Sequence, residues 1–119
     1  MAKIDIHVIL KTPEQTYDYI VPAIYQKEEK TIVYKEKDED KTLVKFNYST
    51  KELYRENDSL IMTYKFNKNK NSTGTIYVKA MDRKLELTIS TKSIQRDQNN
   101  IEIDYFVEKE KYKYKIEVI

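Results

Sequence analysis

Apolar and polar residues alternate with a period of two through most of this chain, and this pattern constrains the fold more than any other feature. Successive side chains of a β-strand point to opposite faces, so such alternation is typical of an antiparallel sheet with one face in a core. The pattern indicates a fold and not a chemistry. The clearest sets are Ile4, Ile6, Val8 and Leu10; Leu60, Met62, Tyr64 and Phe66; Ile101, Ile103, Tyr105 and Val107; and Tyr112, Tyr114, Ile116 and Val118.

Strand-like runs are separated by polar segments of hairpin size, such as residues 37–40. Short links join neighbours in space, which favours an up-and-down meander. Open edges would template aggregation, so we expect the sheet to close. The sequence predicts an all-β fold, a single antiparallel up-and-down barrel of about eight to ten strands over residues 1–119. The runs lie at about residues 3–10, 16–25, 31–36, 41–48, 52–55, 60–66, 73–80, 84–94, 101–108 and 111–118.

The predicted barrel interior takes the alternating sets given above. It also takes apolar residues of the same phase from the central strands. These are Val44, Phe46, Ile76, Val78, Leu85, Leu87 and Ile89.

One segment has a helical signature. Thr12-Pro13-Glu14-Gln15 has the form of a capping box, with Thr12 as N-cap and Pro13 at the first helical position. Residues 16–25 are rich in Thr, Tyr, Ile and Val, however, which favour a strand. We therefore predict a strand there, preceded by at most one short helical turn near Pro13. Gly74 is the only glycine, so turns that need positive φ are expected to use Asn and Asp.

The balance of charged residues does not point to a nucleic acid or a membrane as a partner. The 22 basic and 20 acidic side chains are well mixed and give a net charge of +2, so no long-range field attracts a polyanion or an anionic membrane. The chain has no cysteine, no export signal at its start and no apolar stretch of the roughly 18 residues that span a bilayer. We expect a cytoplasmic protein that makes no membrane contact.

Few residues suggest catalysis or a cofactor. His7 is the only histidine and has the outward phase, and there is no cysteine, so triads and His or Cys metal sites are incomplete. A single glycine cannot build a phosphate-binding loop. We expect no enzyme, no metal and no cofactor. Lysines 111, 113 and 115 alternate with Tyr112 and Tyr114, which puts charges and rings on opposite faces and argues against a nucleic-acid partner.

Two charged residues share the inward phase. Glu36 has the same side-chain phase as Ile32 and Tyr34, and Arg55 has the same phase as Leu53. A carboxylate and a guanidinium inside a barrel are costly unless paired, and such a pair could orient the polar head group of a ligand. Alternatively, both lie near a rim, reach water or pair only with each other. The predicted ligand-binding residues are Tyr34, Glu36, Arg55, Tyr64 and Tyr77.

Short motifs along nearly the whole chain resemble the YwiB-like family of small uncharacterised bacterial proteins. They are Ile32-Val33-Tyr34-Lys35-Glu36, Leu53-Tyr54-Arg55, Met62 to Phe66, Tyr77, Leu85-Glu86-Leu87-Thr88-Ile89-Ser90-Thr91 and Ile101-Glu102-Ile103-Asp104-Tyr105. The resemblance implies a lipocalin-like (calycin) barrel. It implies no established activity and no catalytic residues. The chain departs from the family at Glu56-Asn57-Asp58 and Arg83-Lys84, where family members tend to have glycine.

Two functions remain open from the sequence. The first is a binding module that holds a small amphipathic or apolar molecule in the barrel, since barrels of this size are filled by side chains or hold one ligand. The second is a protein-interaction or self-association module, such as a homodimer, with a solid barrel. In that case Tyr19, Tyr25 or Tyr54, if exposed together, would supply aromatic anchors.

Overall fold

The computed structural model describes residues 2–37 and 40–119. Within these residues the chain forms ten β-strands, which confirms the predicted all-β class. Residues 38 and 39 of the predicted 37–40 connection lie outside the described residues. The strands are β1 (Ala2–Lys11), β2 (Thr16–Gln26), β3 (Thr31–Lys35), β4 (Leu43–Asn47), β5 (Glu52–Glu56), β6 (Leu60–Lys65), β7 (Ser72–Val78), β8 (Arg83–Asp97), β9 (Asn100–Val107) and β10 (Glu110–Val118).

Each strand pairs antiparallel with the next one in the chain, and β1 pairs with β10 to close the barrel. In that closing pair, Ile6 lies opposite Val118 and Lys11 lies opposite Lys113. The predicted meander is therefore confirmed. Closure gives the strand at each end of the sheet a partner, which removes the exposed edges of an open sheet.

The core fills the barrel with the inward phase of nearly every strand. Ile6, Phe46, Ile89, Ile103 and Ile116 are fully buried, as the alternation predicts. Others of the predicted set are partly buried and pack against this core, namely Ile4, Leu10, Leu60, Ile76, Leu87 and Tyr112.

Two predicted interior residues are exposed. Leu85 is 46% exposed and Val118 is 36% exposed. Leu85 pairs with Ile76 on β7, but on its other side β9 ends opposite Ile89. Val118 likewise has β1 on one side only, because the pairing of β10 with β9 stops at Ile116. Both have the correct phase but lie beyond the end of a neighbouring strand.

A β-bulge in β8 keeps two separate isoleucines on the core side. Thr91 lies opposite Tyr105 and Ser93 opposite Asp104, so Lys92 is an extra residue in the ladder. Ile89 is therefore inward, and Ile94 is inward too, opposite Ile103, although the two are five positions apart. Without the extra residue, an odd spacing would put one of them outside.

The helical signature near Pro13 is a tight β-hairpin turn and not a helix. The Thr12 amide donates to the Gln15 carbonyl at 2.9 Å, and the Gln15 amide donates to Thr12 Oγ1 at 3.1 Å. The strand predicted over residues 16–25 is confirmed as β2. The one helical turn in the described residues is a 3-10 turn at Lys79–Met81.

The expectation that Asn and Asp take the positive-φ positions is wrong for most turns. Asp82 does so, but within residues 2–37 and 40–119 the other non-glycine residues with positive φ are Lys30, Lys41, Lys51, Gln98 and Glu108. The asparagines act differently, because their side chains accept backbone hydrogen bonds at the start of turns. The Asn47 Oδ1 atom accepts from the amides of Ser49 at 2.8 Å and Thr50 at 2.9 Å, which is an Asx turn.

One end of the barrel is closed by aromatic side chains. Tyr48 is fully buried there, and its hydroxyl donates to the Asn99 carbonyl at 2.7 Å. Phe46 and Tyr25 meet its ring edge to face at 5.1 and 6.1 Å. The Arg96 guanidinium lies 5.1 Å from the centre of the same ring. Within the described residues, no helix has the length and apolar character needed to cross a membrane.

Candidate functional site

The opposite end of the barrel contains a cavity of about 470 Å³. Its lining includes Thr12 from the β1–β2 connection and Lys37 and Asp40 from the β3–β4 connection, so the cavity lies at the end of the barrel that these connections border. Leu10, Val44, Leu53 and Met62 give it apolar walls. Tyrosine dominates the rest of the surface, because seven of the eleven tyrosines line it: Tyr17, Tyr19, Tyr34, Tyr64, Tyr105, Tyr112 and Tyr114.

Glu36 and Arg55 form an ion pair inside this cavity. Glu36 directly follows β3, and Arg55 lies on β5 with the inward phase of Leu53. Arg55 Nε donates to Glu36 Oε1 at 3.0 Å, and Arg55 Nη2 donates to the same oxygen. Only 9% of the Glu36 side chain and 26% of the Arg55 side chain is exposed. The two charges that share the inward phase are thus placed together, and they pair with each other.

A tyrosine extends this ion pair across the cavity to β2. The Tyr19 hydroxyl donates to Glu36 Oε2 at 3.3 Å. Burial alone would lower the pKa of Arg55, but the adjacent Glu36 carboxylate outweighs it, and the net result is a raised pKa. Arg55 therefore stays a cation, and both oxygens of Glu36 accept hydrogen bonds.

Two tyrosines meet at the bottom of the cavity. The hydroxyls of Tyr34 on β3 and Tyr114 on β10 are 2.5 Å apart, and both side chains are buried. Burial raises the pKa of each phenol well above 10. Both groups are neutral at physiological pH and hydrogen bond to one another across the barrel.

A wall of aromatic rings forms another side of the cavity. The rings of Tyr64 and Tyr105 meet edge to face at 6.5 Å, and those of Tyr105 and Tyr112 stack at 5.5 Å. Burial, followed by the nearby Tyr112, raises the pKa of Tyr64 to about 12. Gly74 makes room for this wall, since a Cβ there would lie 2.6 Å from Tyr64 Cδ1. The glycine is needed here for space and not for positive φ.

Four of the five predicted ligand-binding residues come together in the cavity: Tyr34, Glu36, Arg55 and Tyr64. The structure does not bring Tyr77 to this site. Tyr77 has the outward phase of β7, and its hydroxyl donates to Asp82 Oδ1 at 2.5 Å in an exposed position. The phase of Tyr77, opposite to that of Ile76 and Val78, could have indicated this from the sequence.

The tyrosines expected to anchor an interface are not exposed together. Tyr19 lines the cavity and Tyr25 packs against Tyr48. Tyr54 points outward and donates to Glu56 Oε1 at 2.5 Å. The cavity role of Tyr19 was missed, although Tyr19 shares the phase of the buried Val21 and Ala23 on β2. That shared phase is the signal that could have found it.

The remaining sequence features lie outside the cavity. His7 is on the outer face, where its Nε2 lies 2.5 Å from Asp18 Oδ1. Lys113 and Lys115 face outward toward acidic residues, with Lys115 Nζ 2.7 Å from Glu117 Oε1. No group of three potential His, Cys, Asp or Glu metal ligands occurs within residues 2–37 and 40–119.

The comparisons with known proteins concern the fold. The chain is similar to the crystal structure of the YwiB protein from Bacillus subtilis, with a TM-score of 0.67 over 96% of this chain and 87% of that one. Their sequences are 18% identical, so the likeness shows a shared fold. This confirms the YwiB-like fold that the motifs imply. Neither a protein-family model nor a curated protein matches the chain.

Proposed function

We propose that this protein is a non-catalytic, calycin-like binding module that holds one small amphipathic molecule in the open end of its barrel. The observation that supports it is the cavity of about 470 Å³, closed at one end and lined by apolar side chains around an internal ion pair. Ligand pockets have volumes of roughly 300–1,000 Å³ and combine apolar walls with a few polar groups. A barrel packed solid with side chains would have no such space.

The chemistry of the cavity favours binding over catalysis. Its polar groups are phenols, one paired guanidinium, one paired carboxylate, Thr12, and Lys37 and Asp40 near the mouth. The single histidine lies outside with Asp18 as its partner. The proposal includes the cytoplasm as the compartment and a small molecule, not a nucleic acid or a membrane, as the partner.

Native mass spectrometry of freshly purified protein tests the proposal. We expect a retained molecule of fixed mass, at one copy per barrel. The Leu10→Trp variant should lose it, because Leu10 lines the cavity and a larger ring there would fill it. Ile9→Trp is the matched control, since Ile9 faces outward opposite Asp18 and Lys115. A ligand-free wild-type spectrum, or equal retention by both variants, would contradict the proposal.

Self-association is the second candidate, and one surface feature favours it. Ile20 and Ile24 lie on the outer face of β2 and are 52% and 36% exposed. A second copy of the chain could cover this face. Sedimentation velocity would then show a dimer that Ile20→Lys dissociates, whereas a monomer at all concentrations would exclude this function.

A further inference from the structure

The cavity contains more hydrogen-bond donors than it satisfies. The hydroxyls of Tyr64, Tyr105 and Tyr112 make no hydrogen bond to the part of the chain that the structure describes. Tyr64 and Tyr105 are only 6% and 2% exposed. Arg55 uses two of its five N–H groups, both on Glu36 Oε1, and the others have no protein acceptor within that same part. These residues line the cavity, and their free donors are not buried within the protein itself, since the one buried side-chain polar atom without a hydrogen-bond partner among the described residues is Asp104 Oδ1. A ligand that fills the cavity would cover these donors and must therefore supply acceptors, because a buried donor without an acceptor is costly.

The residues that carry these donors lie next to one another on one side of the cavity. The rings of Tyr64, Tyr105 and Tyr112 are in consecutive contact. Burial is the main cause that raises the pKa of both Tyr64 and Tyr105, while the positive charge of Arg55 partly offsets the rise for both. Arg55 also lies on this side of the cavity, because on the neighbouring strand it is opposite Met62, two residues before Tyr64. The raised pKa values mean that both phenols keep their protons at physiological pH.

The charges restrict the kind of acceptor. Glu36 already accepts from Arg55 and Tyr19, so it has little capacity left for a ligand ammonium group. Arg55 is already paired with Glu36, and Lys37, the other cation that lines the cavity within the described residues, lies near the mouth together with Asp40. A doubly charged phosphate beside the phenols would therefore lack compensation. A carbonyl oxygen, neutral or in a singly charged carboxylate, needs donors and little extra charge.

We propose that the ligand carries a terminal carbonyl group, as a carboxylate or a carboxamide, which Tyr64, Tyr105, Tyr112 and the unused N–H groups of Arg55 receive. This inference rests on the proposed binding function. The apolar body of the ligand lies along the aromatic wall and against Leu53 and Met62. The head group thus decides affinity, and the body supplies buried apolar area.

Calorimetric titration with three probes of one phenyl body tests this: hydrocinnamate, hydrocinnamamide and phenylpropylamine. We expect the acid and the amide to bind at least about tenfold more tightly than the amine, since the ammonium group offers these donors no acceptor and brings a second positive charge near Arg55. An acid that binds more tightly than the amide identifies a carboxylate ligand, and equal affinities identify a neutral carbonyl. An amine that binds equally well or better would overturn the inference.

Single hydroxyl deletions provide the second arm. Tyr64→Phe, Tyr105→Phe and Tyr112→Phe keep the rings, and each should weaken acid or amide binding by about 3- to 10-fold, the effect of one hydrogen bond. Tyr77→Phe is the control, because its hydroxyl bonds to Asp82 outside the cavity, and it should change nothing. Three unchanged affinities would overturn the head-group assignment.

The two proposals fail in different ways. If no probe binds but the purified protein retains a molecule, the carbonyl inference is wrong and the binding function stands. If no probe binds and no molecule is retained, both are wrong.

Discussion

Single asparagine side chains organise several turns of this barrel. Asn47, Asn57 and Asn67 each accept a backbone hydrogen bond two residues ahead, at 2.8 to 3.0 Å. Such Asx turns replace backbone pairing that a turn cannot provide. The left-handed positions elsewhere are occupied by long polar residues such as Lys30 and Gln98, for which that conformation is strained.

Asn47→Ala should lower the free energy of unfolding by about 0.5–1.5 kcal/mol, because the amides of Ser49 and Thr50 lose their acceptor. Gln98→Gly should raise it by up to about 1 kcal/mol, because glycine adopts positive φ without strain. Urea denaturation measures both. Asn69→Ala is the control, since its side chain bonds to none of the described residues, and an equal loss there would contradict the Asx-turn argument.

Gly74→Ala should destabilise the protein by about 1–3 kcal/mol, the usual cost of overpacking. The added methyl would meet Tyr64 Cδ1 at 2.6 Å and Ile89 Cδ1 at 3.1 Å, so the Tyr64 ring must move into the cavity. Thermal unfolding checks the stability. Thr75→Ala, at the next and outward position, should cost clearly less, and a Gly74→Ala variant as stable as wild type would contradict this account.

At the scale of strands, β8 differs most from simple alternation. It has 15 residues and contains the bulge at Lys92, and it projects past β9 at its first residues. The bulge resets the side-chain phase between Ile89 and Ile94. The projection leaves Leu85 exposed at the rim.

Deletion of Lys92 should leave the barrel folded and change the free energy of unfolding by no more than about 1 kcal/mol. The deletion removes the unpaired residue, and Thr91, Ser93 and Ile94 keep their present faces. Deletion of Thr88 on the same strand should instead be severe, because it forces the fully buried Ile89 outward or shifts the register. Circular dichroism and thermal unfolding distinguish the two, and equal losses would contradict the phase argument.

The β-strands were largely predictable from the sequence, because the alternation of apolar and polar residues reports which face of the sheet each side chain occupies. The β-propensity of Thr, Tyr, Ile and Val identified β2 as a strand, and phase placed Glu36 and Arg55 on the inside together. It could not show where a neighbouring strand ends, which is why Leu85 and Val118 were placed in the core. The cavity was not predictable either, since its volume depends on how the rings of Tyr64, Tyr105 and Tyr112 pack in three dimensions.

At the scale of the whole molecule, the interior contains many phenols that cannot ionise easily. Burial is the main cause that raises the pKa of Tyr34, Tyr48, Tyr105 and Tyr114 above the ordinary value of about 10. In the unfolded chain these phenols ionise near pH 10. Between pH 10 and their folded pKa values, the folded state therefore binds more protons than the unfolded state.

The buried phenols should leave the free energy of unfolding independent of pH below about pH 10. Between about pH 10 and 12 that free energy should fall steeply, because the phenols ionise in the unfolded chain. Thermal midpoints against pH and the absorbance of tyrosinate measure this. We expect exposed phenols to titrate first and the buried ones only on unfolding. Tyr105→Phe should make the alkaline loss less steep, and a gradual titration of all tyrosines in folded protein would contradict the prediction.

Because Tyr48 and its neighbours close one end of the barrel, the described residues leave the cavity one entrance, at the opposite end. A molecule bound in the cavity would therefore have to exit by the same end of the barrel through which it entered. One ligand would have to dissociate before a second could bind. Its dissociation rate would then depend on the residues at the entrance, Tyr17 and Lys37 among them.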